Sequence, residues 1–297
     1  METWKERAIA ETAEPSAENW IPRVNRRDFV ALSVVTGFAL AAQPVVAQTM
    51  NVTDAQGLTA GDVSIPAGDR DLPGYRAMPA GGSALATVIV VEEVFGVHEH
   101  IKDLCRRFAK KGFLAVAPEL YARLGDVSKI ADLQELIKVV NQAPDTQTVS
   151  DLDATAAWAT KNGGDGKRLG ITGFCRGGRT VWLYSMQHHS YLKAGVAWYG
   201  PLAGNRSATM PKTILDMADE LKTPVLGLYG GQDQGIPQTQ VEEMRAALKA
   251  KGKVAEIVVY PDALHGFNAD YRPSYRKEAA EDGMNRLLAW FQQHGAL

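Results

Sequence analysis

The chain has 297 residues, 45% of them hydrophobic and 22% charged, the composition of a folded globular protein and not of a disordered or fibrous one. With 32 Lys and Arg against 34 Asp and Glu the net charge is −2, which gives no electrostatic footprint for nucleic acid and no polybasic membrane patch. Its 2 Cys cannot build a disulfide framework or a four-ligand zinc site.

Residues 1–25 are polar and carry no sustained periodicity. Asn25-Arg26-Arg27-Asp28-Phe29-Val30 then leads into an uncharged apolar run from Val30 to Ala42. At 13 residues the run suits a signal sequence and is too short to span a bilayer, which takes about 20. Val45-Val46-Ala47 puts small residues before Gln48, where a signal peptidase cuts. The paired arginines followed by Asp and Phe resemble a twin-arginine export signal. Residues 1–47 are therefore expected to be an export leader and 48–297 a single domain. The protein would be periplasmic or secreted after folding in the cytoplasm, with no membrane contact beyond a leader kept as an anchor.

The remainder alternates strands and helices. Asp62–Met78 offers two edge strands. Thr87–Val91 is a continuous β-branched run, as in a strand buried on both faces. Ile101, Leu104, Cys105 and Phe108 recur at helical spacing before Gly112. Phe113–Ala117 reads as a strand and Ile130–Val140 as a helix. Ser150 is the expected N-cap of a helix to about Lys161. Arg168–Phe174 is a strand and Gly177 to about His188 a helix. Ala194–Tyr199 and Pro224–Tyr229 are strands, and a helix through Val241, Met244 and Leu248 stops at Gly252. Ala255–Tyr260 is the last strand, and Ala280, Met284, Leu287 and Phe291 mark a C-terminal helix. Strands separated by helices predict an α/β fold with a mostly parallel central sheet covered on both faces.

One motif carries chemistry. Gly173-Phe174-Cys175-Arg176-Gly177-Gly178 lies between a strand and a helix, in the G-x-nucleophile-x-G pattern with Cys as nucleophile. A sharp strand-to-helix turn strains the nucleophile's backbone, and side chains flanking it would collide, hence the glycines. The turn also sets Cys175 at a helix N-terminus, which favours a thiolate. Asp233, in Gly230-Gly231-Gln232-Asp233, follows one strand, and His265, in Leu264-His265-Gly266-Phe267, follows another. Open α/β sheets gather ligands at that edge, and the order nucleophile, acid, histidine is that of an α/β-hydrolase triad. Cys175 would attack an acyl carbonyl, His265 would act as base and then acid, and Asp233 would fix the imidazole.

These segments, with Glu92-Glu93-Val94-Phe95-Gly96-Val97 and Ala117-Pro118-Glu119-Leu120-Tyr121-Ala122-Arg123, resemble the dienelactone hydrolases, the carboxymethylenebutenolidase family within the α/β-hydrolases, over roughly residues 60–295. The resemblance implies an α/β-hydrolase fold and hydrolysis of an enol-lactone, 4-carboxymethylenebut-2-en-4-olide, to maleylacetate, without metal or organic cofactor. It implies that Glu93 contacts the resting thiol and takes part in its substrate-triggered ionisation. The backbone N–H groups of Val94 and Arg176 are the implied oxyanion donors. Glu92, beside Glu93, reads as a solvated surface charge.

The sequence departs from the family at its substrate arginines. No Arg occurs in Asp126–Val140, and the first Arg after His265 is Arg272, seven residues on rather than about four. Arg123, Arg176 and Arg272 are the candidate substitutes for binding a substrate carboxylate. Trp198 and Tyr199, at a strand's C-terminal end, are candidates to line the pocket. Cys105 belongs to an apolar helix face and reads as core. His98 and His100 have no third ligand at a metal spacing. The sequence thus predicts a cysteine-dependent lactone or ester hydrolase acting on a small molecule. A general carboxylesterase and a non-catalytic binding protein of the same fold are the alternatives, and the oligomeric state is left open.

Overall fold

The computed structural model describes residues 51–187 and 189–297. The expected leader and its cleavage point lie outside the described residues. Within them, eight strands form one sheet in the order β1-β2-β4-β3-β5-β6-β7-β8. The strands are β1 (Leu58–Pro66), β2 (Asp71–Pro79), β3 (Leu85–Val91), β4 (Leu114–Pro118), β5 (Gly164–Phe174), β6 (Leu192–Trp198), β7 (Val225–Gly230) and β8 (Ala255–Tyr260). The pairs from β4 to β8 are parallel. The antiparallel β1–β2 hairpin closes the β4 side, where two edge strands were expected.

The helices are α1 (Glu99–Lys110), α2 (Leu133–Val140), α3 (Asp145–Lys161), α4 (Arg176–Met186), α5 (Gln238–Ala250) and α6 (Lys277–Gln293). α3 and α4 pack together on one face of the sheet. α1 and α6 cover the other, bridged by Phe113, which follows α1 and packs on Phe108 of α1 at 5.9 Å and on Phe291 of α6 at 6.4 Å between ring centroids. The central strands run through a continuous core of fully buried side chains such as Val88, Ile89, Ile171 and Val196. That burial on both faces is why β3 reads as an unbroken apolar run.

Two helix starts differ from the expected ones. α3 begins at Asp145, and Ser150 is not its cap but lies inside it. Pro144 sets the entry, because its backbone is already constrained, and Asp145 places an acid in the first turn, where the helix dipole favours it. The 130–140 segment starts later than expected. Asp132 caps α2 by accepting from the Glu135 N–H at 2.8 Å, and a short 3-10 turn precedes it.

From β3 the chain moves first to β4 on one side and then to β5 on the other. Ligand crevices form at such a reversal, beyond the carboxyl ends of the strands. Val91 of β3 is in register with Gly173 of β5, and Phe174 with Trp198 of β6. Residues just past these ends therefore meet. The connection from β8 to α6, residues 261–276, is neither helix nor strand, yet most of it is buried, including His265, Phe267, Asp270 and Arg272.

Candidate active site

β5 ends at Phe174 and α4 begins at Arg176, so Cys175 makes the turn alone. Its backbone stands at φ 56° and ψ −118°, which side chains tolerate poorly. Bare neighbours make the turn fit. A Cβ on Gly173 would lie 2.4 Å from the Gly177 carbonyl oxygen, and one on Gly177 2.5 Å from those of Val91 and Glu92. On Gly178 it would meet the Trp198 carbonyl at 2.5 Å. The Cys175 N–H donates to that same carbonyl at 3.0 Å, which ties the turn to β6.

The acid and the imidazole arrive from the β7 and β8 ends. Asp233 Oδ1 accepts from the N–H groups of Gly235 (2.8 Å) and Ile236 (3.2 Å). This fixes the carboxylate and aims Oδ2 at His265 Nδ1, 2.8 Å away. The Cys175 side chain lies close enough to the ring to act on it electrostatically. All three groups are buried, Cys175 and His265 to 2% exposure each. Burial opposes a charge on the imidazole, but Asp233 and Cys175 outweigh it and raise the His265 pKa to about 10. The site therefore favours a proton on His265.

Glu93 is buried in the loop after β3, but the structure does not bring it to the thiol. Its Oε2 accepts from the Tyr271 hydroxyl at 2.5 Å and stands 3.3 Å from His98 Nε2. Its Oε1 accepts from Arg272 Nη2 at 3.2 Å. Among the described residues no hydrogen bond joins Glu93 to Cys175, and the carboxylate is taken up by Tyr271, Arg272 and His98. Burial would raise its pKa, yet the Arg272 cation and the His98 and Tyr271 hydrogen bonds hold it well below the usual carboxylate range.

Arg272 is thus part of the site, despite its long offset from His265. Its guanidinium lies over the rings of Phe95 and Tyr271, 5.2 and 5.1 Å from their centroids. Arg123 is not part of it. It clamps Asp69 and Asp151, at 2.5 and 2.6 Å, where β1, β2 and α3 come together. Arg176 lines a cavity of about 230 Å³ with Val94, Ile137, Val140, Leu202 and Ile236. Its Nη1 donates to Asn141 Oδ1 at 3.0 Å. Val94 is held there by a small apolar cluster with Tyr121, Leu136 and Val140. A larger cavity of about 630 Å³, reaching Phe95, His98 and Glu119, opens on the other side of the loop after β3.

Trp198 does not line the pocket. Its ring is in the core, stacked on Phe174, with its indole N–H given to Thr172 Oγ1 at 3.1 Å. Tyr199 does reach the site, its ring edge-on to His265 with centroids 5.0 Å apart. Glu92 is fully buried and not a surface charge, and its Oε1 accepts from the Leu120 N–H at 2.9 Å. Burial, and next the nearby Glu119, push its pKa well up. Tyr271 was not singled out in the sequence, where nothing marks a loop tyrosine as a carboxylate partner.

The dienelactone hydrolase family model matches residues 72–295. The chain belongs to the dienelactone hydrolase family. Among its relatives, provisionally named carboxymethylenebutenolidases of Methylorubrum extorquens and Escherichia coli are 58% identical over 274 residues and 53% over 268. Those alignments cover 92% and 90% of this chain and 94% and 98% of the relatives. The crystal structure of a provisionally named dienelactone hydrolase from Klebsiella pneumoniae superposes with a TM-score of 0.77 at 55% identity, over 80% of this chain and 99% of the other. As a dienelactone hydrolase family member the protein is a hydrolase with a small-molecule substrate.

Proposed function

We propose that the protein hydrolyses carboxylic lactones or esters with Cys175, His265 and Asp233 as its triad, in a reaction of the enol-lactone to maleylacetate type. The observation that supports this most is the buried His265 ring, held by Asp233 at 2.8 Å and within electrostatic reach of Cys175 at the strained turn. In this reading the sulfur attacks the carbonyl carbon and the thiol proton passes to a base. The carbonyl oxygen takes the electron pair and is held by the N–H groups of Val94 and Arg176. Arg176 opens α4, where a helix leaves its N–H groups unpaired. The intermediate then expels the ester oxygen, which takes a proton from His265. Water, deprotonated by His265, cleaves the thioester and frees the thiol.

The buried Arg272 favours an acid-bearing lactone over a neutral ester. A substrate carboxylate competes with Glu93 for the guanidinium, and a displaced Glu93 becomes free to take the thiol proton. In the resting protein Glu93 neutralises Arg272. Glu93→Gln would leave that cation unopposed near the sulfur, so Cys175 should alkylate faster near neutral pH while turnover falls. Identical alkylation profiles and unchanged turnover in the variant would remove Glu93 from the mechanism. The function itself is tested by assaying purified protein on enol-lactones, saturated lactones and aryl esters. Hydrolysis of aryl esters alone would favour a general esterase, and hydrolysis of none would defeat the proposal.

We also propose export by the twin-arginine route, on the strength of Arg26-Arg27, the apolar run and Ala47. A shortened form starting near Gln48 should be recovered outside the cytoplasm. Full-length protein confined to the cytoplasm would refute it.

A further inference from the structure

Tyr199 combines three features that packing does not require. Its hydroxyl is fully buried and has no hydrogen-bond partner among the described residues. Its backbone is at φ 38°, in the left-handed region that a bulky residue rarely adopts. Its ring nevertheless has a fixed place: edge-on to His265 at 5.0 Å, 5.3 Å from Phe267, with the Tyr199 N–H donating to the Leu228 carbonyl at 2.7 Å. Buried hydroxyls are nearly always satisfied, and strained residues collect where a ligand is handled.

The surroundings say what such a hydroxyl can serve. It lies within electrostatic range of Glu93, Arg272, Tyr271 and Cys175. Burial first, and then the Glu93 charge, push its pKa well above the ordinary tyrosine value, so it stays a neutral donor. The neighbouring groups are already committed. The Tyr271 hydroxyl donates to Glu93, and Asp233 serves His265, Gly235 and Ile236. Tyr199 is a buried side-chain donor whose hydroxyl has no hydrogen-bond partner among the described residues, and its ring packs edge-on against the imidazole that must protonate the departing oxygen.

We infer that the Tyr199 hydroxyl is a catalytic hydrogen-bond donor to the ester oxygen of the substrate, the oxygen that leaves when Cys175 becomes acylated. This rests on the hydrolase reading above. As the tetrahedral intermediate collapses, the bond from carbon to the ring oxygen breaks and its electron pair moves onto that oxygen. His265 delivers the proton. Tyr199 keeps its own proton and stabilises the developing charge by donation. Because the bond exists only with substrate present, it strengthens toward the transition state and not in the free enzyme.

The test is Tyr199→Phe, compared with wild type on a saturated γ-lactone, whose leaving alkoxide is a strong base, and on 4-nitrophenyl acetate, whose leaving phenolate is weak. The expected loss in kcat/KM is about 10- to 100-fold on the lactone, as for a lost hydrogen bond to a charged group, and under about 3-fold on the aryl ester. The melting temperature should hold or rise, since the substitution removes an unsatisfied buried hydroxyl. Equal losses on both substrates, no loss on either, or a fall in melting temperature that tracks the activity loss would overturn the inference. Wild-type protein inactive on both esters, and on enol-lactones, would instead defeat the hydrolase reading.

Discussion

Cys175→Ala is expected to lower kcat by about 10⁴-fold or more on any substrate the wild type hydrolyses, since loss of a nucleophile leaves only the oxyanion donors and binding. Cys105→Ala serves as the comparison. Cys105 is fully buried on the core side of α1, where burial pushes its thiol far above the ordinary range and keeps it inert. Its replacement should cost about 1 kcal/mol of stability and leave kcat unchanged. Cys175→Ser should fall between wild type and Cys175→Ala, because the turn and His265 remain but a hydroxyl gives up its proton far less readily. Steady-state kinetics on the three variants decides the matter. A Cys175→Ala enzyme as fast as wild type would place the chemistry elsewhere.

Arg272→Met should produce the largest loss of stability. It leaves the Glu93 carboxylate buried without its main counter-charge, and breaking such a pair costs about 3–5 kcal/mol. The pH dependence follows from the sign of the shift. In the wild type Glu93 has a folded-state pKa below its unfolded value of about 4.3, so its stabilisation is complete above that pH. It fades only as the pH falls through the lower folded value. Without Arg272, burial dominates and the folded pKa moves above the unfolded one. The deficit of the variant should then be greatest near pH 7 and shrink toward pH 5 as Glu93 takes up a proton. Adding Glu93→Gln should recover much of the loss at neutral pH. Urea unfolding of the single and double variants at the two pH values reads both effects. A deficit below about 1 kcal/mol with no pH dependence would mean that the pair is not acting as a buried ion pair.

The turn at Cys175 was legible in the sequence because its cause is steric. A backbone crossing at Gly173, Gly177 and Gly178 leaves room for hydrogen only, and that constraint appears directly as a residue pattern. Asp233 and His265 were legible because each follows a recognisable strand. Neighbouring residues at strand ends were harder. Trp198 and Tyr199 are adjacent and both aromatic, yet one ring enters the core and the other the site. β6 ends at Trp198 and the chain turns out of it at Tyr199, whose φ is 38°, so the two side chains part, and composition does not say where a strand ends. Glu92 and Glu93, in the loop just past β3, also diverge, one toward Leu120 and one toward Arg272. Arg123 was misjudged because a motif position is not a place in space, and its charge is taken up by Asp69 and Asp151. Arg272 could be proposed but not chosen, since a loop without helix or strand periodicity conceals how far seven residues carry a side chain.

That loop has a consequence for how the protein fails. Segments without regular structure usually lie on the surface and open on their own, well before the rest of a domain. Residues 261–276 are instead fastened inward. Asp270 accepts from Arg107 of α1 and from Asn51, Phe267 is fully buried, and the Arg276 N–H returns to the Phe267 carbonyl at 3.0 Å. Amide protons along this stretch should exchange as slowly as those of neighbouring strands. The imidazole of His265, the guanidinium of Arg272 and the hydroxyl of Tyr271 therefore share the fate of the whole domain, with no private route to denaturation.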